Sequence, residues 1–152
     1  MMKENIFNAG HYQQMQRRLR ALQPNAARQW GTMNPAEMLR HCRKQLEFVL
    51  DPPANQKVYN TPMRYQPIKW LVVYAIPWPK GSATAPEMDV HKKLKDTGAF
   101  EAEKTLLLQA LNDVTRLNDV TAKHPLFGHT GKKDWGRIIW KHLDHHLRQF
   151  GG

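Results

Sequence analysis

The sequence predicts an all-α fold, a four-helix bundle with a long crossover between helices 2 and 3. Apolar residues recur at helical spacing in four separate stretches, and helix start and stop residues bracket them. A proline-rich tract without sustained periodicity lies between the second and third stretches. Four helices with one long connection make a bundle the economical architecture.

Met15, Leu19 and Leu22 fall on one helical face, so the first helix is expected from about His11 to Gln23, ahead of Pro24 and Asn25. The second start is sharper. Asn34 reads as N-cap, Pro35 as the first helical residue and Glu37 as the acid of a capping box, with Met33 and Met38 placed for a hydrophobic staple. That helix should run from about Pro35 to Leu50 and stop at Asp51-Pro52-Pro53. From Asp51 to Gly98 the chain is a crossover punctuated by prolines, and its apolar piece Ile68–Ile76 reads as a short packed helix closed by Pro77 and Pro79. A membrane-touching or dimer-forming role is the alternative for that piece. The third helix is expected from about Phe100 to Val120, with Phe100, Leu107, Ala110, Leu111, Val114 and Leu117 on one stripe. After a turn at His124-Pro125-Leu126-Phe127-Gly128, the fourth should run from about Lys132 to Phe150. Gly131 or Thr130 is its cap, and Asp134 sits where a negative charge favours the helix dipole.

At 152 residues, positions 1–152 suit one domain with one core. The only cysteine is Cys42, which rules out an intramolecular disulfide and suits a reducing compartment. The N-terminal residues lack the apolar stretch of a secretory signal, and no run reaches the roughly 20 apolar residues that span a bilayer. The expectation is a soluble, cytoplasmic protein without a membrane partner. A net charge of +10 invites an acidic partner, with local groups at Arg17, Arg18, Arg20 and at Lys132, Lys133, Arg137. No zinc-finger, basic-zipper or RNP pattern accompanies it, so a solvated basic surface is preferred to a nucleic-acid groove.

The chemistry is concentrated in histidine, of which there are eight. His142 and His146 are four apart, so on a helix their imidazoles can address one ion. At about 100° per residue the pair borders the apolar face made by Ile139, Leu143, Leu147 and Phe150, while His145 leans toward solvent. On the second helix Met38, Cys42, Leu46 and Val49 face inward, with His41 on the margin. If the two helices are neighbours, His41 completes a three-nitrogen set that leaves coordination positions open for water or substrate. Taken alone, an i,i+4 histidine pair also fits surface or capping histidines.

The ending Trp135-Gly136-Arg137-Ile138-Ile139-Trp140-Lys141-His142-Leu143-Asp144-His145-His146-Leu147-Arg148-Gln149-Phe150-Gly151 resembles the C-terminal signature of a branch of the DinB/YfiT superfamily. Three upstream pieces match in order: Trp30 to His41, Pro79-Lys80-Gly81 with Thr84-Ala85-Pro86, and His124 to Gly128. The resemblance implies a four-helix bundle, often a homodimer, holding zinc, nickel or another divalent metal on three histidines. The family's first ligand maps onto His41, and its HxxxH pair onto His142 and His146. Some relatives are thiol transferases or isomerases that use a low-molecular-weight thiol, and others are proposed hydrolases, so a small-molecule substrate is implied without a particular reaction. Gly131 stands where the family usually has Ser or Thr, a departure that touches the helix cap and not the site.

On the helical wheel Trp135 and Gln149 flank the histidines, so they and His145 are candidate pocket-lining residues; for Trp135, plain packing between helices is the alternative. Gln149 or Asp144 could orient an imidazole through its second ring nitrogen. Asp144 falls on the far side and reads better as a surface charge, and Glu37 is explained by capping before catalysis. His124 and His129 flank the turn and are read as turn structure, Cys42 as a small core residue. Arg17, Arg18 and Arg20 suit either an anionic thiol or substrate, or simple solubility.

Overall fold

Asparagine starts the first two helices by the same device. The Asn8 side chain accepts the His11 N–H at 3.1 Å, and α1 runs Ala9–Ala21. Asn34 accepts the Glu37 N–H and the Glu37 carboxylate accepts the Asn34 N–H, both at 2.8 Å, closing the expected capping box of α2, Pro35–Leu50. α1 begins and ends two residues earlier than its apolar spacing suggests. The cap lies at Asn8, and at the other end Leu22 is already extended while its side chain stays in the core.

These elements belong to a computed structural model that describes residues 2–82 and 99–152. The fold is all-α, with no β-strand among the described residues. The Thr84-Ala85-Pro86 motif and the end of the expected crossover lie outside the described residues. α3, Phe100–Thr115, stops short of Val120 because its last turn tightens. The Arg116 and Leu117 N–H groups bond three residues back, to Asp113 and Val114, and the Asp119 carboxylate takes the Val120 N–H. α4, Lys132–Arg148, has Gly131 as an N-cap without a side-chain bond. It ends before Phe150 on Gly151, whose φ of +78° allows the Gly152 N–H to reach the Leu147 carbonyl at 2.9 Å.

α1 packs on α3 and α4, and α2 packs on the same two helices. Met15 and Leu19, Met38, Leu39 and Leu46, Leu107 and Leu111, and Ile138, Ile139 and Leu143 are fully buried in one apolar cluster. The N-terminal residues cross α4 at Gly136, whose carbonyl accepts the Ile6 N–H at 3.1 Å. A Cβ there would stand 2.0 Å from Asn5 Oδ1, so only glycine admits the crossing.

The apolar piece of the crossover is not one packed helix. Ile68–Trp70 is an α-turn that passes into a π-helical turn over Leu71–Ala75. Lys69 and Val73 are buried, whereas Ile68, Trp70, Leu71 and Ile76 are exposed. The reason is polar. Lys141 Nζ on α4 donates to the Val72 and Ile76 carbonyls at 2.6 and 2.7 Å, and Arg137 Nε donates to Val73 at 3.2 Å. Backbone groups at the widened turn are thus bonded to cations of α4, and the turn is held against that helix largely through its main chain.

A buried ion pair fixes α2 against α3. Arg43 Nε and Nη2 donate to the two carboxylate oxygens of Glu103 at 2.8 and 3.2 Å, and both residues are buried. Glu103→Ala takes away the bidentate partner and leaves the buried Arg43 only Glu47 of its own helix, so the urea unfolding free energy should fall by about 2 kcal/mol. Arg43→Met combined with Glu103→Leu should recover most of that loss. A Glu103→Ala protein as stable as the parent would show that the pair does not hold the two helices.

Candidate metal centre

α2 and α4 lie side by side, and their facing margins bring together the three histidines named from the sequence. His142 Nε2 stands 2.9 Å from His41 Nε2 and 3.1 Å from His146 Nε2. Ring centroids are 4.5 to 4.8 Å apart. One ligand atom from each residue lies within 4.8 Å of the others, so the set could hold a metal ion. A four-coordinate ion with bonds of about 2.0–2.1 Å sets its nitrogens roughly 3.3 Å apart, close to the spacings here.

Hydrogen bonding shows why this set suits a cation. His146 Nδ1 lies 2.6 Å from Gln149 Oε1, so Nδ1 carries the hydrogen and Nε2 presents a lone pair. His142 Nε2 has one in-plane position, either a hydrogen or a lone pair, yet faces two nitrogens. A single linear hydrogen bond satisfies one of those contacts and leaves the other without a shared proton. Burial pushes the pKa of His142 and His146 well below the ordinary value, and the neighbouring imidazoles push the same way, so the rings are neutral donors at neutral pH. His142 Nδ1 is buried without a hydrogen-bond partner.

The cluster opens on a cavity of about 440 Å³. Met63, Val72, Ile76, Trp78 and Pro79 of the crossover form one wall, and Pro125, Leu126 and Phe127 form another. His145 lines it as expected, edge-on to Trp30 at 5.9 Å, and burial lowers its pKa as well. Gln45, His124 and Ser82 are the remaining polar residues of the lining.

Two candidate lining residues are placed elsewhere. Trp135 is fully buried and does not line the cavity. Its indole N–H donates to the Ala122 carbonyl at 2.8 Å and its ring packs on His124, because an indole buried this deeply needs a partner away from open space. Gln149 also lies outside the lining, and reaches the site through His146. Gly31, at φ +85°, lies against it: a Cβ there would stand 2.7 Å from Gln149 Nε2. Asp144 does not orient an imidazole; it pairs with Arg18 of α1 at 2.8 Å and Arg148 at 3.0 Å. That pairing also commits Arg18, one of the arginines considered for an anionic ligand. Cys42 is buried beside Met38, and burial pushes its thiol pKa up, as suits a core residue.

Gln45 escaped the sequence reading. It sits one turn after His41, and that i,i+4 spacing was the available signal. His124 was read as turn structure, and it is: its Nδ1 accepts the Leu126 and Phe127 N–H groups at 3.0 and 3.2 Å. The same ring lines the cavity.

Fold and site together define an all-helical domain with a three-histidine cluster at the mouth of an apolar cavity. The chain belongs to the family described as protein of unknown function (DUF1569), whose model matches residues 7–151. Comparison with curated proteins and comparison with solved structures each returned no match.

Burial brings the pKa of His124 down to about 3, with Lys69 adding to the shift. An unfolded histidine takes up its proton near pH 6.5, so between that pH and about 3 the unfolded chain holds a proton that the folded one refuses. Stability should therefore be full above pH 6.5 and fall as pH drops toward 3, with His142 and His146 acting in the same direction. His124→Asn, whose carbonyl can accept the same backbone N–H groups, should make the decline shallower in urea titrations at pH 7, 5.5 and 4. An unchanged slope would contradict the role given to His124.

Proposed function

We propose that this protein is a divalent-metal-dependent enzyme acting on a small molecule, a hydrolase or a low-molecular-weight-thiol transferase, with His41, His142 and His146 as metal ligands. The observation that carries the proposal is the convergence of three imidazoles from two helices at the edge of a cavity large enough for a small molecule. An ion with three protein ligands keeps a position for water or substrate, and the adjoining cavity favours turnover over a closed structural site. Zinc or nickel suits three imidazoles. A bound divalent ion would supply Lewis-acid polarisation and a lowered pKa for water or thiol.

The chain's own contribution is orientation and exclusion of water. Gln149 holds the His146 ring with Nε2 toward the cluster, and Gly31 leaves Gln149 room to do so. Met63, Trp78 and Phe127 keep the adjoining space apolar.

The proposal includes the four-helix bundle of the DinB/YfiT kind as the fold, supported by the packing of α1 and α2 each on α3 and α4. It also includes a cytoplasmic homodimer. The exposed Tyr65, Ile68, Trp70, Leu71 and Ile76 support an interface, and the single free cysteine suits a reducing compartment. No helix among the described residues is long and apolar enough to cross a membrane.

Purified protein should take up one equivalent of zinc or nickel per chain. His142→Ala should abolish that uptake, and Gln149→Ala should weaken zinc affinity by roughly 10–100-fold, with helix content by circular dichroism unchanged in both. Stoichiometric uptake that survives His142→Ala would overturn the proposal.

A further inference from the structure

The protein carries a net charge of +10, yet no Lys, Arg, Asp or Glu is among the described residues that line the cavity beside the histidines. Its walls are Met63, Val72, Ile76, Trp78 and a Pro-Leu-Phe turn. Beyond the histidines of the cluster, His145, and Ser82, whose hydroxyl donates to the Pro79 carbonyl, two polar side chains line this apolar space. Gln45 is buried, lines the cavity and has no hydrogen-bond partner for Oε1. Leaving a buried acceptor unsatisfied is costly, so an idle carbonyl oxygen here is expensive unless a ligand uses it. His124 is the second. Its Nδ1 accepts two backbone N–H groups, which leaves the ring hydrogen on Nε2 as a donor.

We infer that the cavity takes an uncharged molecule with an apolar body and a carboxamide-like group, whose N–H donates to Gln45 Oε1 and whose carbonyl accepts from His124 Nε2. Gln45 lies one helical turn from His41, so the carboxamide is held beside the histidine cluster. The cavity walls offer an anionic or zwitterionic group no opposite charge; only an ion on the histidines would supply one, at the mouth of the cavity. The inference rests on the proposed function for the reaction, and names within it the substrate class, a neutral amide. The recognition itself depends on Gln45 and His124 and not on an ion.

The test compares two probes of similar size, acetanilide and 4-acetamidobenzoate, by ligand-observed NMR titration of the full chain without added zinc, so that no ion attracts the carboxylate. Acetanilide should bind at least tenfold more tightly than its carboxylate analogue. Gln45→Leu should weaken acetanilide at least tenfold, while raising the melting temperature or leaving it unchanged, since it removes an unsatisfied buried amide. Equal or tighter binding of the carboxylate, no binding of acetanilide, or full affinity in Gln45→Leu would each overturn the inference. The comparison of probes on the parent protein needs no variant. Zinc uptake measured on the same samples reports separately on the metal: loss of uptake with probe selectivity intact would sink the enzyme reading alone, and intact uptake without selectivity would sink this one alone.

Discussion

Three ring nitrogens facing one small region set the terms for the rest of this structure. His142 Nε2 faces two ring nitrogens with one in-plane position, so one of the two contacts has no shared proton and the folded chain must hold it there by packing. The side-by-side placement of α2 and α4 supplies that constraint. His41 projects from one helix and His142 and His146 from consecutive turns of the other, while the apolar stripes beneath them bury Met38, Leu143 and Leu147. Gln149 and Gly31 then fix a ring whose hydrogen would otherwise be free to choose its nitrogen.

The second organising feature is where the positive charge goes. A basic composition suggests a solvated surface, but Arg43, Lys69, Arg137 and Lys141 are all buried. Each is bonded inside the protein: Arg43 to Glu103, Lys69 to His129 and Thr130, Arg137 to Glu4 and Val73, Lys141 to Val72 and Ile76. Lys141 also lies over the Trp78 ring at 5.0 Å, and its partial burial brings its pKa down to about 8. Lys69, Arg137 and Lys141 take the place of a continuous apolar interface between the crossover and the rest of the chain. They let a proline-rich, half-exposed segment form a wall of the cavity, which an aperiodic sequence could not do through side-chain packing alone.

Much of this is legible in the residues, and the limits have physical causes. The capping box of α2 has a local chemical signature and falls where Asn34, Pro35 and Glu37 place it. Local spacing marks His142 and His146, and marginal position on an apolar stripe marks His41. Helix ends are less legible: α3 stops at Thr115 because three-residue bonds at Arg116 and Leu117 outweigh an apolar spacing that continues to Leu117. The crossover is nearly illegible, since carbonyl-to-cation bonds to a helix some 70 residues away leave no pattern along the chain. Gln45 and the Arg43–Glu103 pair are polar residues turned inward, and amphipathic reasoning sends polar residues outward. Trp135 shows the complementary ambiguity: a wheel position beside the histidines does not distinguish the side facing the cavity from the side facing the core, and the packing alternative is the one the structure takes.

The most direct test is X-ray absorption at the zinc edge on zinc-loaded protein. The account predicts a first shell containing three imidazole nitrogens at about 2.0–2.1 Å, with the multiple scattering of histidine rings, and fewer imidazoles in His41→Ala. A shell without histidine scattering, or one unchanged when His41 is removed, would contradict the claim that α2 and α4 share one ion.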